Sequence, residues 1–538
     1  MKLVTVPEMI AIEKEADSGD LSYAQMMEKA GSGLAQVIDE IYGDSEPNSI
    51  LGLVGSGNNG GDTLVSLAQL AGQGWKARAY LVKDRDPDDP LIARLLEKGG
   101  QVFTQQKDSD YKVLSELIRK HAILLDGVLG TGIQLPLRGS VAETLGKAKQ
   151  ILGKQAGAVH VVAVDCPSGV DCGTGEAAEE TIPAGLTVTM AAVKTGLLQF
   201  PAANFTGEIR VVGIGLTNQK AWQAVKRRVA DWESVQASMP ERPANAHKGT
   251  FGTALVVAGS VNYTGAALLS GKAAYRVGAG LVTLAVPAPL HGAIAGHFPE
   301  ATWLLLPHEI GVINAEAVNV IEKNLERPTA MLLGPGFGLE DATRDFLAKL
   351  LRIGMAQRRG AIGFISAPTR ELGAQEGKLP PLVVDADGLK LLAGLEDWAA
   401  HLPKAAVLTP HPGEMAILTR LPVSEIQTDR LGVAERFSQQ WGHVVVLKGA
   451  YTVVAAPGGE TTVIPVATSA LASAGTGDVL AGLIAGLLAQ GVGPYPAAVN
   501  GSWIHAQAGL QAHRQLGSAA TVIAGDVLES IPQVMSRL

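Results

Sequence analysis

The stretch ILGLVGSGNNGGD occupies residues 50–62. Its first five residues, Ile50–Val54, form an uncharged aliphatic run with the length of a buried strand. A glycine-rich turn follows, and the amphipathic segment Asp62–Gly72 comes directly after it. A buried strand, a glycine-rich turn and a helix in immediate succession are typical of a parallel α/β sheet. We therefore predict a doubly wound α/β fold for this part of the chain.

The same alternation of strands and helices extends through both halves of the chain. In the first half the other predicted strands are Arg78–Val82, Ala122–Leu125, His160–Val164, Leu186–Met190 and Ile209–Ile214, with a helix at Tyr111–Lys120. In the second half they are Gly252–Ala258, Leu281–Val286, Ala330–Leu333, Ala361–Ile365, Leu382–Val384, Ala405–Leu408 and Val444–Leu447. The polar stretch Leu216–Asn245 interrupts the pattern and ends in turn-forming prolines. We predict two α/β domains, residues 1–216 and 246–538, joined by a linker at 217–245.

Composition excludes several classes of protein. The 538 residues are 47% hydrophobic and carry a net charge of −8, which gives no general attraction to nucleic acid or to anionic membranes. The longest uncharged apolar stretch of note, Val479–Ala489, is too short to span a membrane. The N-terminus has no apolar signal core, and there are only two cysteines, Cys166 and Cys172. We expect a cytoplasmic protein without a zinc site.

The turn at residues 55–60 formally contains Gly-x-Gly-x-x-Gly, the dinucleotide-binding fingerprint. Asp84 lies about 20 residues further on, where an acid could bind a ribose. An NAD-dependent dehydrogenase is therefore an alternative. Two features count against it: the amides and acid of residues 58–62 occupy the approach to the helix, and further acids cluster at other strand ends.

Polar side chains follow three predicted strands of the first half. Asn59 comes after the first strand, Asp126 after a second, and Asp165 and Ser168 after a third. The carboxyl ends of parallel strands meet at one edge of the sheet, so we expect these four side chains to share one crevice. Amide, carboxylate and hydroxyl oxygens are hard ligands that suit an alkali or alkaline-earth cation. Each residue taken alone could equally serve in a turn.

Three motifs of the first half, GSGNNGGD at 55–62, DGVLGTG at 126–132 and DCPSGVD at 165–171, resemble those of the YjeF N-terminal family, the NAD(P)H-hydrate epimerases. The resemblance implies potassium ligands at Asn59, Asp126 and Ser168. It implies that the hydrated nucleotide contacts Asn58, Asn59, Gly60, Gly61, Asp62, Gly130, Thr131, Gly132, Ile133, Gln134, Leu135, Pro136 and Asp165. Asp126 or Asp165 would move the proton. Thr63 stands where the family usually has glycine, and Gly127 where alanine is common.

In the second half, the segment LASAGTGDVLAG at residues 471–482 places Asp478 behind a glycine turn, at the start of an apolar helix. Such a helix start binds phosphate through free backbone N–H groups and the helix dipole. An acid there repels the phosphate, so its best use is proton transfer at a substrate hydroxyl beside the phosphates. A plain N-cap is the alternative interpretation.

Four further segments of the second half support this interpretation: GSVNYTGAA at 259–267, LGPGFG at 333–338, TPHPGE at 409–414 and LKGAYT at 447–452. Together they are similar to the ribokinase-like superfamily and, within it, to the ADP-dependent NAD(P)H-hydrate dehydratases of the YjeF C-terminal family. The resemblance implies a ribokinase-like domain from about residue 247. It implies hydrate contacts at Ala266, Gly336, His411 and Asp478, and ADP contacts at Lys448, Gly449, Ala450, Tyr451, Thr452 and Gly477.

The two resemblances together imply a fused repair enzyme for nicotinamide nucleotides. Its first domain would interconvert the R and S forms of hydrated NADH and NADPH with potassium. Its second would dehydrate the S form, at the expense of ADP or promoted by it, with magnesium and with Asp478 transferring the proton. Partners would be small molecules and further copies of the chain, as a homo-oligomer. A small-molecule kinase with the same glycine turn, and a non-catalytic binding role for the first half, remain alternatives.

Overall fold

The computed structural model describes residues 1–44, 48–86, 88–155, 157–354 and 379–538. The chain divides into two compact units, Met1–Val229 and Ala230–Leu538. The stretch predicted as a linker, 217–245, contains secondary structure of its own, and the division between the units falls inside it. The predicted strand Ala361–Ile365 lies outside the described residues.

The first unit is built around a parallel sheet. Its strands are β1 (Leu3–Val4), β2 (Ser49–Val54), β3 (Lys76–Leu81), β4 (Gln101–Thr104), β5 (Ile123–Gly127), β6 (His160–Val164), β7 (Leu186–Met190), β8 (Val193–Lys194), β9 (Glu208–Val212) and β10 (Arg227–Val229). The main sheet has the order β4-β3-β2-β5-β6-β7-β9, and all its pairs are parallel. The direction of winding reverses between β2 and β5, which is where doubly wound sheets bind ligands.

Helices cover both faces of this sheet and bury its aliphatic side chains. They are α1 (Val6–Asp17), α2 (Tyr23–Tyr42), α3 (Asn58–Gly72), α4 (Pro90–Glu97), α5 (Lys112–Lys120), α6 (Gly139–Gly153), α7 (Ala203–Thr206) and α8 (Lys220–Ala224). Helix α3 follows β2 through the glycine turn, as the sequence predicts. Its first turn therefore begins at the point where the winding reverses.

The second unit has a larger mixed sheet. Its strands are β11 (Thr253–Val257), β12 (Leu281–Pro287), β13 (Thr302–Leu306), β14 (His308–Glu309), β15 (Val312–Ile313), β16 (Ala330–Leu333), β17 (Leu382–Val384), β18 (Val407–Leu408), β19 (Val444–Leu447), β20 (Val453–Ala455) and β21 (Thr461–Val463). In this unit the main sheet runs β21-β20-β19-β18-β17-β16-β11-β12-β13. The pairs from β13 to β19 are parallel, and β20 and β21 are antiparallel additions. Winding reverses between β11 and β16.

The helices of the second unit again lie on both faces of the sheet. They are α9 (Trp232–Gln236), α10 (Thr264–Arg276), α11 (Ala288–Ile294), α12 (Ala317–Glu322), α13 (Asp341–Leu350), α14 (Asp387–Leu392), α15 (Trp398–His401), α16 (Pro412–Thr419), α17 (Val423–Thr428), α18 (Arg430–Trp441), α19 (Thr476–Ala489), α20 (Pro494–Leu516) and α21 (Ala524–Met535). The α/β class predicted for both halves is thus confirmed. Across the described residues, no helix combines the length and apolar character needed to cross a membrane.

Helices α10 and α19 pack closely, because α19 carries a glycine where the two backbones meet. A Cβ atom at Gly482 would lie 2.1 Å from the backbone oxygen of Ser270 on α10. Such a distance cannot be relieved by a side-chain rotation, because the neighbouring atom belongs to the backbone. The glycine therefore fixes the spacing of the two helices that begin beside the candidate active site of this unit.

We predict that Gly482→Ala destabilises the second unit, because α10 and α19 must move apart. The expected loss in the free energy of unfolding is about 1–3 kcal/mol, the usual range for overpacking a core. Gly525→Ala is the matched control: it also lies in a helix, and nothing stands within 4 Å of its added Cβ. Denaturant titration of both variants, monitored by the loss of ligand binding to the second unit, measures the difference in their free energies of unfolding. Equal stability of the two variants would contradict the packing argument.

Candidate active sites

In the first unit, a cavity of about 330 Å³ lies at the point where the winding of the sheet reverses. Its walls are the turn after β2 and the loop after β5, together with Lys83. Of the residues predicted to contact the hydrate, it is lined by Asn58, Asn59, Gly130, Thr131, Gly132 and Ile133. Gln134, Leu135 and Pro136 continue the same loop without lining the cavity. Gly60, Gly61 and Asp62 lie on α3 and are buried.

The three residues predicted to hold a cation come together beside this cavity. The backbone N–H of Ser168 donates to Asp126 Oδ2 at 2.8 Å, and Ser168 Oγ accepts from the N–H of Leu129 at 2.9 Å. Asn59 Nδ2 donates to the carbonyl of Leu129 at 3.0 Å. Asp126 is fully buried, and its Oδ1 has no hydrogen-bond partner among the described residues. Burial raises the pKa of Asp126, although Ser168 opposes that change.

Asp165 has a different environment from Asp126. Its Oδ1 forms a buried ion pair with Lys194 and accepts hydrogen bonds from Thr189 Oγ1 at 3.0 Å and from the N–H of Met190 at 2.9 Å. Burial lowers the pKa of Lys194, but the charge and hydrogen bond of Asp165, together with the two cysteines nearby, raise that pKa overall. The expectation that Asp165 shares one crevice with the cation set is therefore only partly met: Asn59 Nδ2 contacts the carbonyl of Val164, whereas the carboxylate of Asp165 binds Lys194.

In the second unit, the reversal of winding between β11 and β16 brings two predicted hydrate contacts together. Gly336 lies in the loop after β16 and has a φ of +65°. A Cβ atom there would lie 2.8 Å from the Cβ of Ala266, near the start of α10. The two residues therefore form one wall, and neither has a polar side chain. They can shape a pocket but cannot transfer a proton.

The polar part of this site is a network around Lys448, which follows β19. Lys448 Nζ donates to Asp385 Oδ1 at 2.7 Å and lies 3.7 Å from Glu414 Oε2. Thr409 Oγ1 also donates to Asp385 Oδ1 at 2.7 Å, while Asp385 Oδ2 is buried without a partner in the described part of the chain. Burial lowers the pKa of Lys448, but the carboxylates of Asp385 and Glu414 outweigh it and raise that pKa. The ion pair thus joins the ends of β17 and β19.

Asp478 lies on the first turn of α19, next to this network. A Cβ atom at the neighbouring Gly477 would lie 3.5 Å from Lys448 Nζ and 4.0 Å from Asp385 Oδ2. Burial, followed by the charge of Asp385, raises the pKa of Asp478 to about 7, although Lys448 opposes the shift. Asp385 is already paired with Lys448, so Asp478 is the carboxyl group that takes up a proton near neutral pH. A helix start with a protonated acid beside a buried lysine can bind an anion and donate a proton.

A cavity of about 390 Å³ adjoins the network and contains most of the residues predicted to contact ADP. It is lined by Lys448, Gly449, Ala450, Thr452 and Gly477, and its inner wall includes His505 and Leu480. Tyr451 is not among the lining residues; it has a φ of +53°, and burial raises its pKa. The loop is fixed from behind by Arg430, whose Nη2 donates to the carbonyls of Leu447 and Lys448 at 3.0 and 3.2 Å.

His411 has a structural role that can be seen directly. Its Nδ1 accepts from the N–H groups of Gly413 and Glu414 at 3.0 and 3.4 Å, and Glu414 Oε2 accepts from the N–H of His411 at 2.9 Å. This reciprocal arrangement caps helix α16. The other ring nitrogen, Nε2, takes no part in the cap and lies 3.4 Å from Glu414 Oε1. His411 lines the same cavity as Lys448. The cap fixes the ring at the cavity wall.

Sequence reasoning missed three residues of these sites: Asp385, Glu414 as a partner of Lys448, and Lys194. Asp385 directly follows the predicted strand Leu382–Val384, so its position at the end of a parallel strand was an available signal. Nothing local marks Lys194, because its partner Asp165 is 29 residues away in the chain.

Both units are α/β folds with a cavity and polar side chains at the ends of parallel strands, an arrangement typical of nucleotide-binding enzymes. Comparison with known families narrows this class. Residues 254–362 and 367–533 match the NAD(P)H-hydrate dehydratase family, and residues 23–196 match the YjeF-related protein N-terminus family. The chain therefore belongs to the family of bifunctional NAD(P)H-hydrate repair enzymes, which confirms both resemblances seen in the sequence.

Individual relatives agree with this assignment over nearly the whole chain. The bifunctional NAD(P)H-hydrate repair enzyme of Moorella thermoacetica is 34% identical, over 100% of this chain and 97% of its own. The enzyme of that name from Escherichia coli is 30% identical, over 97% and 92%. Among solved structures, the ADP/ATP-dependent NAD(P)H-hydrate dehydratase from Bacillus subtilis, co-crystallised with ATP and Mg²⁺, is 30% identical, with a TM-score of 0.46 over 58% of this chain and 98% of that one.

The two departures from the epimerase motifs turn out to be neighbours. A Cβ atom at Gly127 would lie 1.9 Å from Thr63 Oγ1, which itself donates a hydrogen bond to the carbonyl of Asn59 at 2.7 Å.

We predict that Gly127→Ala lowers the free energy of unfolding of the first unit by about 1–3 kcal/mol, the range for overpacking. In the Thr63→Gly background, Gly127→Ala should lower the free energy of unfolding far less, because the Thr63 side chain no longer fills the space that the new methyl group needs.

A double-mutant cycle, with the free energy of unfolding from denaturant titration, tests this coupling. Additive effects of the two changes would show that Thr63 and Gly127 do not compensate each other.

Proposed function

We propose that this chain repairs hydrated NADH and NADPH in two steps. The first unit interconverts the R and S hydrates, and the second, with ADP, returns the S hydrate to the coenzyme. The observation that carries the second step is the position of Asp478 on the first turn of α19, beside the Lys448–Asp385 ion pair. Burial there raises the pKa of Asp478 to about 7. The two compact units support our proposal that each catalyses its step independently.

Dehydration needs an acid for the leaving hydroxyl. The lone pair of the ring nitrogen forms a C=N bond as the protonated hydroxyl leaves as water. A proton is then lost from the neighbouring ring carbon, which forms the C=C bond of the coenzyme and returns the electron pair to the nitrogen, so the barrier lies largely in protonating and orienting the leaving group. A carboxyl group that is still protonated near pH 7 can donate directly. A kinase would instead need Asp478 ionised, to take the proton of an attacking hydroxyl. With a pKa of about 7, Asp478 is present in both forms near neutral pH, so the choice of the dehydratase over the kinase rests on the family match.

ADP would bind in the cavity lined by Lys448, Gly449, Ala450, Thr452 and Gly477, with Tyr451 completing the loop. When bound, its phosphates supply negative charge beside Asp478, which keeps that carboxyl protonated to higher pH. The hydrate would contact Ala266, Gly336 and His411 on the other side of Asp478. In the described ranges no group of three or more histidine, cysteine or carboxylate side chains is arranged to hold a metal ion. Magnesium would therefore be held mainly by the phosphates of the bound nucleotide, whose charge it would partly neutralise.

In the first unit we propose potassium at Asn59, Asp126 and Ser168. The fit rests on Asp126, a fully buried carboxyl group whose Oδ1 lacks a partner among the described residues. Such an atom requires a proton or a cation. When bound, the ion supplies positive charge that fixes the loops after β2, β5 and β6. Gly130 to Pro136 would contact the nucleotide beside these loops.

From the sequence we also propose that the protein is a cytoplasmic homo-oligomer.

We predict that Asp478→Asn lowers kcat for dehydration of the S hydrate by about 100-fold or more, the usual scale for a positioned acid. ADP affinity should stay close to that of the wild type, because no phosphate contact is lost. In the wild type, activity should be full below pH 7 and decline above it, since Asp478 loses its proton there. Recovery of nicotinamide absorbance as a function of pH measures both effects.

Two variants sharpen this test. Asp385→Asn removes the negative charge that raises the pKa of Asp478, so the decline should move to lower pH. Asp341→Asn is the control, since that carboxylate is exposed on helix α13. Activity that rises with pH, or transfer of a phosphoryl group from ATP, would instead support the kinase.

We predict that Asp126→Ala abolishes epimerisation and removes a bound potassium ion, while dehydration of the S hydrate continues. The substitution takes away the buried carboxylate oxygens, and the second unit of the same molecule serves as the internal control. Thallium-205 NMR or elemental analysis of the dialysed protein measures the ion. An ion retained by the variant would reject this site.

A further inference from the structure

The two units share an arrangement that their sequences do not display. In the second unit, the buried ion pair Lys448–Asp385 stands beside Asp478, a carboxyl group near the start of a helix that follows a glycine turn. In the first unit, the buried ion pair Lys194–Asp165 acts on Asp62, which is also near the start of a helix after a glycine turn. The positions are similar but not identical, because Asp478 is the third residue of α19 and Asp62 is the fifth residue of α3.

Asp62 faces a cavity and has no hydrogen-bond or ion-pair partner within the described part of the chain. Only 7% of its surface is exposed, and it lines a cavity of about 70 Å³ together with Glu13, Tyr23, Asn58 and Met190. The remaining lining residues are apolar: Met26, Met27, Ala30 and Ile214. We call this space the acidic cavity. A carboxyl group nine-tenths buried, without a partner and open to an apolar cavity, is arranged for a ligand rather than for stability.

The acidic cavity adjoins the glycine-rich cavity of about 330 Å³, because Asn58 lines both. Asn58 and Asp62 are four residues apart on α3, hence on one face of the helix. The backbone N–H groups of the glycine turn, with Lys83, suit the phosphates of a dinucleotide. A nucleotide bound there would extend one end past Asn58 towards Asp62.

We propose that Asp62 is the catalytic acid of the epimerase site, and that the nicotinamide ring of the hydrate enters the acidic cavity. This inference rests on the proposed function. Asp165 and Lys194 are then positioning residues. Because Lys194 is paired with Asp165, it does not form an ion pair with Asp62, and the negative charge of Asp165 remains near Asp62. Neither the acidic cavity nor the glycine-rich cavity is lined by Asp165 or by Asp126.

The proposed step balances in atoms and electrons. The lone pair of the ring nitrogen forms a C=N bond while the bond from carbon to the hydroxyl oxygen breaks, and the proton of Asp62 converts the leaving group to water. Water then adds to the opposite face of the iminium. Its excess proton returns to Asp62, and the electron pair returns to the nitrogen. The R and S hydrates interconvert without oxidant or reductant.

The charges around Asp62 favour this protonated form. Burial, then the charges of Asp165 and Glu13, raise the pKa of Asp62 well above its usual range, while Lys194 opposes them. Glu13 comes from α1 and its own pKa is raised by burial. Tyr23, from α2, is the other titratable group lining the cavity, and its pKa is raised as well. Burial and these charges therefore favour the protonated form of Asp62, which is the form that can donate a proton.

The test uses the full chain and the purified R hydrate of NADH without ADP, and follows the S hydrate by chromatography. Asp62→Asn should lower kcat for epimerisation by about 100-fold or more. KM should stay near its wild-type value, and dehydration of the S hydrate by the same protein should be unchanged. Asp110→Asn, which changes an exposed acid that lines neither cavity, is the control and should epimerise normally. Loss of a catalytic acid should leave about one-hundredth of kcat or less. A variant that retains more than about one-tenth of the wild-type kcat would overturn the proposal, as would an effect on KM alone.

A second variant keeps the proposal testable if Asp62→Asn folds poorly. Wild-type epimerisation should decline as pH rises through the pKa of Asp62, and Glu13→Gln should move that decline to lower pH, because one negative neighbour is lost. A decline that does not move would count against Asp62 as the acid. Failure of the proposed function is distinct: the wild type itself would then not interconvert the hydrates.

Discussion

A buried lysine paired with an aspartate is the interaction on which each unit depends. Lys194 with Asp165, and Lys448 with Asp385, are removed from water at the carboxyl edge of their sheets. Breaking such a pair leaves an uncompensated charge, at a cost of about 3–5 kcal/mol. Each pair also joins separate strand ends: Lys448 follows β19, whereas Asp385 follows β17. The pairs therefore fix the loops that form the sites.

The second carboxyl of each site follows from this constraint. A further aspartate placed near the ion pair, with little water around it, cannot ionise cheaply, because the lysine is already matched. Asp478 and Asp62 are both in this situation, and both lie near the start of a helix after a glycine turn. A phosphate bound at the same helix start adds negative charge and strengthens the effect. Anion binding and a protonated acid thus support each other, although an isolated acid at such a helix start would repel the anion.

The sequence was most informative where structure is local. Aliphatic runs such as Ala330–Leu333 and Leu186–Met190 became strands with the predicted bounds, because burial on both faces of a parallel sheet demands continuous apolar residues. The short strands Val453–Ala455 and Thr461–Val463 were missed, since a run of three residues gives little periodicity. The stretch predicted as a linker, 217–245, is polar yet contains short helices, which shows that polarity alone does not exclude regular structure.

The partners that set the chemistry could not be predicted, because they are separated in the chain and meet only through topology. Asp385 and Lys448 are 63 residues apart, and Asp165 and Lys194 are 29 apart. The motif positions fixed which aspartates lie at strand ends, but not which of them a lysine would neutralise. We propose that this distinction separates the roles, with the aspartate paired to lysine positioning the site and the unpaired carboxyl group transferring the proton. From the sequence we expected Asp126 or Asp165 to transfer the proton in the first unit; our proposal of Asp62 depends on the pairing of Asp165 with Lys194, which the sequence does not show.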